Sequence, residues 1–484
     1  MISSIQNISR LRDSLSLHAD RILFHCDDGT NLSYSSQNHL NENSAFRDTR
    51  RRLVFCMCDN EPGGLSGYLS LLSVDAVPLM LGTNLAPALF QNLVSAYRPA
   101  FAWLPEKRVS EFVDGRVLLS HLGYSLVASA EDETYPMDES LALLLSTSGS
   151  TGTPKFVRLS HDNMLSNAAA IGRYLDITAD ERPITTLPPS YSFGLSILHS
   201  HILAGSTIAL TNRTFFDRGF WDFLKSAGAT SFGGVPYHFE MLKKLRFHLM
   251  DLPSLKTLTQ AGARMEPELT REFAEHCERK GIRYFSMYGQ TEATARMSYL
   301  LPEKTQAKAG SIGQPIPGGE FWLENEDGEI IEGPGVAGEL VYRGRNVSMG
   351  YAEGYQDLAL GDQRDGVLRT GDVACRDSDG DYYIVGRLKR FLKMFGHRIN
   401  LQDVEAQLLA AGHTVICAGQ DDMLEVYIPQ GSGEAGKLIK SKVASDFGIN
   451  PKAVSVYAIA EVPRSDAGKI LYSQLKLLAG NALI

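Results

Sequence analysis

Ten consecutive residues, Ser146-Thr147-Ser148-Gly149-Ser150-Thr151-Gly152-Thr153-Pro154-Lys155, carry six hydroxyls and two glycines and end in a lysine. They include no large apolar side chain besides the ring of Pro154. Glycine removes the Cβ that would block approach, so such a loop can bring backbone N–H groups, hydroxyls and one ammonium against an oxyanion. The apolar run 141–145 just before it is short enough to be a buried strand. The pattern suits phosphate, yet it is not a Walker A loop. Counted from Gly149, the second required glycine falls on Pro154, and Phe156 stands where a Mg2+-binding Ser/Thr should follow the lysine. A flexible Ser/Gly surface loop is the competing reading.

Four further stretches carry residue types able to act on the same ligand. Met287-Tyr288-Gly289-Gln290-Thr291-Glu292 follows a predicted strand, so its ring, hydroxyl and carboxylate fall at a strand's C-terminal end, where open α/β sheets bind ligands. A tyrosine there can stack on a purine, and a glutamate can hold Mg2+ against phosphate oxygens. Arg369-Thr370-Gly371-Asp372 reads as a turn whose carboxylate can accept both hydroxyls of a ribose. Residues 386–399 hold five cations besides His397, and two glycines, which suits a hinge beside an anionic ligand. Pro463-Arg464-Ser465-Asp466-Ala467-Gly468-Lys469-Ile470 places Lys469 far from the loop in sequence, so a mobile domain would have to carry it to the site.

These residues need a scaffold to position them. Strands are predicted at 22–25, 53–58, 76–81 and 100–104, with helices at 63–73 and 91–97. After the loop, a strand at 156–159 leads into a helix capped by Ser160 and running to about Leu175, with Met164, Leu165, Ala168, Ile171 and Leu175 on one face. Strands at 184–187, 207–211, 231–235, 257–259 and 283–287 then alternate with helices at 195–203, 220–227, 237–249 and 267–280. Such alternation implies layers with a largely parallel sheet. Apart from the strand at 22–25, residues 1–50 are polar and unpatterned. From about residue 305, Asp-Gly pairs and short β runs at 321–323, 339–342 and 382–385 read as a small β subdomain. From Phe391 a mixed pattern returns, with helices at 401–411, 436–447 and 473–478 and strands near 414–417, 424–428 and 453–458. The fold class is α/β. A large N-terminal domain of layered α/β sheets (1–387) includes a small β-barrel-like subdomain (about 305–387), and a small mobile α+β C-terminal domain (388–484) follows.

Bulk properties narrow the class. The chain has 484 residues, too many for one ordinary core, and is 44% apolar. A net charge of −9 and a pI near 5.8 exclude nucleic acid as the main partner, since phosphate backbones need a basic footprint. The six cysteines are scattered, and strand alternation puts Cys56 and Cys58 on one face as core residues, the usage of a reducing compartment. The N-terminus lacks a basic region followed by an apolar one, and no apolar run reaches the roughly 20 residues of a membrane helix, so the expected location is cytoplasmic.

Taken together and in order, the five motifs resemble those of the adenylate-forming superfamily, which contains acyl- and aryl-CoA synthetases, luciferases and the adenylation domains of nonribosomal synthetases. The resemblance runs from about Leu53 to the C-terminus. It implies that a carboxylic acid is joined to AMP from ATP, with release of pyrophosphate, and then passed to a thiol of CoA or of a carrier-protein pantetheine. A separate acyl carrier protein is the alternative acceptor, and a catalytically silent nucleotide-binding scaffold is the alternative of another class. By the resemblance, Thr147, Ser148, Gly149, Ser150, Thr151, Gly152 and Lys155 hold the β- and γ-phosphates. Tyr288 packs on adenine with Gly262 and Ala263 beside it, Thr291 contacts the α-phosphate and Glu292 holds Mg2+. Asp372 and Arg387 bind the ribose, and Lys469 bridges the acid's carboxylate and the α-phosphate. The pivot of the swinging C-terminal domain falls on Lys389, where many members carry aspartate, and Gly396 lies where a pantetheine arm passes.

The acid is addressed by Leu187-Pro188-Pro189-Ser190-Tyr191-Ser192-Phe193-Gly194, which resembles the family's acid-pocket motif with Tyr191 where many acyl-CoA synthetases have histidine. Amino-acid-activating members place an aspartate where this chain has Gly194, and a buried ammonium without a counter-ion is costly, so an α-amino acid is disfavoured. Tyr191, Phe193, Gly194, Val235, Gln260 and Gly289 then form a mostly small or apolar pocket, fitting a fatty or aryl acid. Arg264 is expected to face outward before the next helix.

Overall fold

The strand Leu53–Met57 is buried along its whole length, and its side chains alternate between two cores. Leu53, Phe55 and Met57 join one cluster with Leu79 and Leu104; Val54 and Cys56 join the other with Met80, Trp103 and Cys58. A run apolar at every position is what a strand covered on both faces requires, and each large side chain withdrawn from water contributes about 1.5–3 kcal/mol. The structure, a computed structural model, describes residues 11–130, 133–146, 155–394, 397–429, 433–447, 449–464 and 470–479. The chain divides into two compact units, residues 1–321 with 342–368, and residues 322–341 with 369–484.

In the first unit, β1 (Leu53–Met57), β2 (Val77–Leu81), β3 (Phe101–Pro105), β4 (Leu141–Ser146) and β5 (Phe156–Ser160) form the centre of an eight-stranded sheet. Strands β4, β2, β1 and β3 lie side by side in parallel. The flanks are antiparallel, where a largely parallel sheet was expected. Strand β5 returns against β4, Gly350–Ala352 adds to β5, and the pair Arg116–His121 and Tyr124–Ala128 extends the far edge. Connection length explains this: parallel neighbours need a crossover of about a dozen residues or more, whereas Leu122 (φ 47°) and Gly123 (φ 78°) make a tight hairpin.

A second sheet places β6 (Ser231–Gly234), β7 (Thr257–Gln260) and β8 (Arg283–Tyr288) in parallel register, so that Gly234, Gln260 and Ser286 stand abreast. Two helices matter for the site. In α1 (His161–Tyr174), Ser160 and Asn163 form a reciprocal capping box; α2 (Ser192–Ala204) ends on Gly205 at φ 76°. Segment 184–187 makes only isolated bridges, Pro183 to Ser231 and Ile184 to Ala209, because prolines at 183, 188 and 189 lack the N–H a ladder needs. The N-terminal region, unpatterned in sequence, contains helices Leu11–Leu17, Tyr34–Asn41 and Ser44–Arg47. Polar contacts hold the second of these: Gln37 donates to Ser66 O and to Ser70 Oγ, both at 3.0 Å.

Helix α2 buries His199 and His201, whose pKa values burial lowers to about 4. Neutral His199 faces the Tyr68 hydroxyl at 2.8 Å. Between about pH 6.5 and 4 the unfolded chain binds protons that the native imidazoles refuse, so stability is full above 6.5 and falls as the pH drops through this window. A melting series should therefore show the midpoint falling steadily from pH 7 to 4.5. In His199→Gln the slope should be shallower.

Most of a four-stranded sheet, Glu320–Glu324, Gly338–Arg343, β9 (Val367–Arg376) and β10 (Tyr382–Arg387), belongs to the second unit. The hairpin Phe391–Met394 and His397–Asn400 follows. The remainder is a three-stranded sheet, Ile416–Gln420, Met423–Pro429 and Val454–Ile459, with helices Leu401–Ala410, Gly433–Phe447 and Tyr472–Leu478. Val404, Leu408, Val426, Ile439, Val443 and Val456 fill its core. Among the described residues no helix is long and apolar enough to cross a membrane.

Candidate active site

Three parallel strands and one helix bring most of the predicted residues of the first unit to one rim. Strand β6 ends at Val235, β7 runs out through Gln260 to Ala263, and β8 ends at Tyr288-Gly289 before a short 3-10 turn, Thr291–Ala293. The N-terminal turn of α2 supplies Tyr191, Phe193 and Gly194. Gly262 sits at φ 96°, and a Cβ there would lie 2.5 Å from the Tyr191 hydroxyl and 3.1 Å from Val235 Cγ1, which shows how closely these three converge. Ser192 Oγ and Thr291 Oγ1 are 3.1 Å apart, tying the helix start to the Thr-Glu motif. Gln260 braces its own loop: its amide donates to Ala263 O (3.2 Å), and its carbonyl accepts from Ser286 Oγ (3.3 Å). Arg264 is exposed, as expected, and so is Ala263. The Gln290 amide donates to the Tyr288 hydroxyl at 3.1 Å, and the Tyr288 ring lies 6.5 Å from that of Phe321.

Two glycines of this rim are fixed by contact. At Gly194 a Cβ would fall 2.4 Å from Pro188 O, so this backbone has no room for the aspartate that pairs with an α-ammonium. At Gly289 a Cβ would fall 1.7 Å from Ala295 O. Backbone cannot yield as a flexible side chain does, so Gly289→Ala should cost about 1–3 kcal/mol, read as a lower melting temperature together with loss of activity.

The edge strand Gly350–Ala352 and the residue after it connect Lys155 and Glu292. The strand pairs with β5, which begins just after Lys155. The Tyr351 hydroxyl donates to Glu292 Oε1 at 2.8 Å, while Lys155 Nζ pairs with Glu353 Oε1 at 2.5 Å. Burial first, and the Glu292 carboxylate second, raise the Tyr351 phenol to about 12, so it remains a donor at neutral pH. The Glu292 carbonyl accepts from Ser348 N (2.9 Å) and from Arg364 Nη1 (3.2 Å), and the Arg364 guanidinium lies over the Tyr351 ring at 4.8 Å. Glu292 Oε2 has no partner among the described residues, leaving one half-buried carboxylate oxygen to serve a hard cation. The described residues hold no group of three or more His, Cys, Asp or Glu that could hold a metal. A Mg2+ held by one carboxylate and phosphate oxygens needs none.

In the second unit the predicted turn 369–372 is instead part of β9. Gly371 adopts φ 69° inside the strand, and cross-strand pairing overrides the turn-like composition. Asp372 stands opposite Arg387 in the antiparallel register, and Arg387 Nε donates to Asp372 Oδ1 at 2.5 Å. The Asp372 side chain is 2% exposed and that of Arg387 53%, so a buried carboxylate is held by a cation that reaches solvent. Lys389 lies in the single turn Leu388–Arg390 that separates β10 from the next strand. The basic stretch is less free than its sequence suggests. Arg390 pairs with Glu405 (2.7 Å), donates to Cys417 O (3.0 Å) and lies over the Tyr472 ring, fastening the core of its own unit. Thr147, Ser148, Gly149, Ser150, Thr151, Gly152, Gly396 and Lys469 lie outside the described residues.

Arg296 is among the buried cations that the sequence analysis missed. It is 2% exposed and lies over the Phe193 ring at 5.0 Å, and nothing in Ala293-Thr294-Ala295-Arg296-Met297 marks it by spacing or composition.

Residues 20–352, well over half of the chain, match the family model described as AMP-binding enzyme. A feruloyl-CoA synthase from Amycolatopsis sp. is 30% identical over 387 residues, covering 78% of this chain and 76% of that protein. A 2-succinylbenzoate–CoA ligase from Bacillus subtilis (strain 168) is 27% identical over 385 residues, 77% of this chain and 76% of that protein. The fold matches that of o-succinylbenzoate coenzyme A synthetase (MenE) from Bacillus subtilis in complex with ATP and magnesium ion, with a TM-score of 0.76 at 21% identity over 96% of this chain and 99% of that one. The chain therefore belongs to the AMP-binding enzyme family and is an AMP-forming acid–thiol ligase.

Proposed function

We propose that this enzyme converts a fatty or aryl carboxylic acid to its CoA thioester through an acyl-adenylate. In the first step a carboxylate oxygen attacks the α-phosphorus of ATP; the new O–P bond replaces the bond to the β-phosphate oxygen, and pyrophosphate leaves. In the second, the thiolate attacks the acyl carbon and AMP leaves with the bridging oxygen. A carboxylate is a poor electrophile and the anhydride is a good one, which is why the sequence needs ATP. Two anions must meet in the first step, so the site must aim cations and N–H groups at the charge that develops.

The observation that carries this reading is the junction at the edge strand. Tyr351 of that strand bonds the proposed metal carboxylate, Glu292, and Glu353, in the bend that directly follows the strand, pairs with the loop cation, Lys155. In the proposed roles, the hydroxyls of 147–151 and Lys155 hold the β- and γ-phosphates and the departing pyrophosphate. Bound at Glu292, Mg2+ would neutralise phosphate charge. Tyr288 packs on adenine, Thr291 reaches the α-phosphate, and the Asp372–Arg387 pair takes the ribose. Lys469 bridges carboxylate and α-phosphate, and its unit, pivoting at Lys389, exchanges it for the thiol step, in which Gly396 borders the pantetheine arm. The names of the relatives, which specify CoA products, support CoA over a carrier protein as the acceptor.

Exchange of labelled pyrophosphate into ATP, measured with fatty, aryl and amino acids in turn, tests the first step. The expected result is exchange that depends on a fatty or aryl acid and gives the matching CoA thioester once CoA is added. Exchange driven only by α-amino acids, or by none of the panel, would remove the reading.

A further inference from the structure

Phe193 and Gly233, on the acid-pocket side of α2 and β6, pack directly against a small interior space. Gly233 of β6 has no side chain, and a Cβ there would meet Ile197 Cδ1, Thr259 Oγ1 and Phe193 Cζ at 2.9–3.1 Å. Ile197, Gly233 and Thr259 also border a cavity of about 20 Å3 between α2 and the parallel strands, and Arg296 lines the same space. That volume holds a water or the tip of a ligand chain.

The guanidinium of Arg296 has only neutral company among the described residues. Nε donates to Ser196 Oγ (3.2 Å), and Nη1 donates to the Tyr174 hydroxyl (3.2 Å) with Met287 Sδ at 3.5 Å. The Tyr174 hydroxyl turns its own hydrogen to Met287 Sδ, at 3.0 Å, so its oxygen is free to accept. Nη2 hydrogen-bonds none of the described residues, and no carboxylate pairs with the guanidinium among them. Removing a cation from water without an anion costs several kcal/mol, which hydroxyl dipoles and the face of Phe193 only partly return.

Three other titratable side chains border the cavity. Burial lowers His201 to about 4, so it is neutral at pH 7. Arg283 donates to Thr257 Oγ1 at 2.9 Å, and Glu181 accepts from the Thr230 hydroxyl. Two guanidiniums against one carboxylate leave the cavity with a net positive charge.

We propose that the preferred acid carries a second anionic group, a carboxylate or a sulfonate, at the end remote from the activated carboxylate, and that Arg296 pairs with it there. This inference rests on the acid-activation reading above and specifies its substrate class. In this proposal a hydrocarbon or aryl body lies against Tyr191, Phe193 and Val235, and the distal anion reaches Arg296, which lies over the Phe193 ring.

The test is pyrophosphate exchange by the full-length enzyme with chain-matched pairs, each monocarboxylic acid against its ω-carboxy and ω-sulfo counterparts, over several lengths and one aryl series. At the best length the wild type is expected to favour the dianionic acid by about 100-fold in kcat/KM, and the two dianionic arms show which anion fits better. Arg296→Met should bring that ratio close to one, chiefly through the KM of the dianionic acid and not that of ATP. Arg296→Lys should retain the preference in weaker form. If Arg296→Met does not fold, the wild-type ratios and Arg296→Lys decide. A wild type that takes monocarboxylic acids as well as their dianionic partners, or an Arg296→Met enzyme that keeps the preference, overturns the proposal and leaves the acid-activation reading standing. Absence of exchange with every acid overturns both.

Discussion

Lys469→Ala should lower acid-dependent pyrophosphate exchange by about 100- to 1000-fold, the usual cost of removing one group aimed at developing charge. It should leave thioester formation from a supplied acyl-adenylate within about threefold of wild type. The argument is one of timing. An ammonium bridging the acid's carboxylate and the α-phosphate stabilises charge only while those anions are being joined. Once the adenylate exists, the thiol step needs the carbonyl exposed to a different nucleophile, and in the proposed alternation Lys469 is no longer required. The two half-reactions must be assayed separately, because overall turnover would conflate them. Loss of both to a similar extent would mean that Lys469 supports the fold or the nucleotide generally and has no step-specific role.

Asp372→Ala should reduce kcat/KM for ATP by about 100- to 1000-fold, with KM for the acid changed far less. Hydrogen bonds to a charged acceptor contribute about 1.5–3 kcal/mol each, and a ribose presents two hydroxyls to one carboxylate. The geometry sharpens this expectation. Asp372 is buried, stands opposite Arg387 in register and is held by it. In the proposed role, removing the aspartate strips the ribose of its acceptor and also breaks the Asp372–Arg387 pair. Asp372→Asn should recover part of the loss by accepting one hydroxyl. Combined with Arg387→Ala it should fall short of additivity, since the two side chains act as one unit. A KM for ATP that stays within threefold in Asp372→Ala would detach this pair from nucleotide binding.

Much of this architecture is legible in the sequence, because local rules decide it. Strand β1 is announced by an unbroken apolar run, helix Pro267–Lys280 by its period, and the start of α1 by Ser160. The motifs are visible for a related reason: glycine-rich, hydroxyl-rich or Asp-Gly segments depart from the composition that cores and helices impose. What stays hidden depends on distant partners. Arg369–Asp372 has the composition of a turn, yet it is part of a strand held between Gly338–Arg343 and β10, with Asp372 opposite Arg387. Arg390 looks like part of a basic hinge until Glu405 and Tyr472 are brought to it. Tyr351 meets Glu292 only because an edge strand docks on β5. Arg296 carries no local mark; its significance lies in burial without an anion, which no window of sequence reports.

The central claim, that the acid is activated by attack of its own carboxylate on the α-phosphorus, is tested most directly with substrate whose carboxylate is labelled with 18O. Single-turnover reaction with ATP and CoA should place one labelled oxygen in the AMP released and none in pyrophosphate. Label found in pyrophosphate or in inorganic phosphate, with AMP unlabelled, would contradict an acyl-adenylate and with it the roles proposed for Lys155, Glu292 and Lys469.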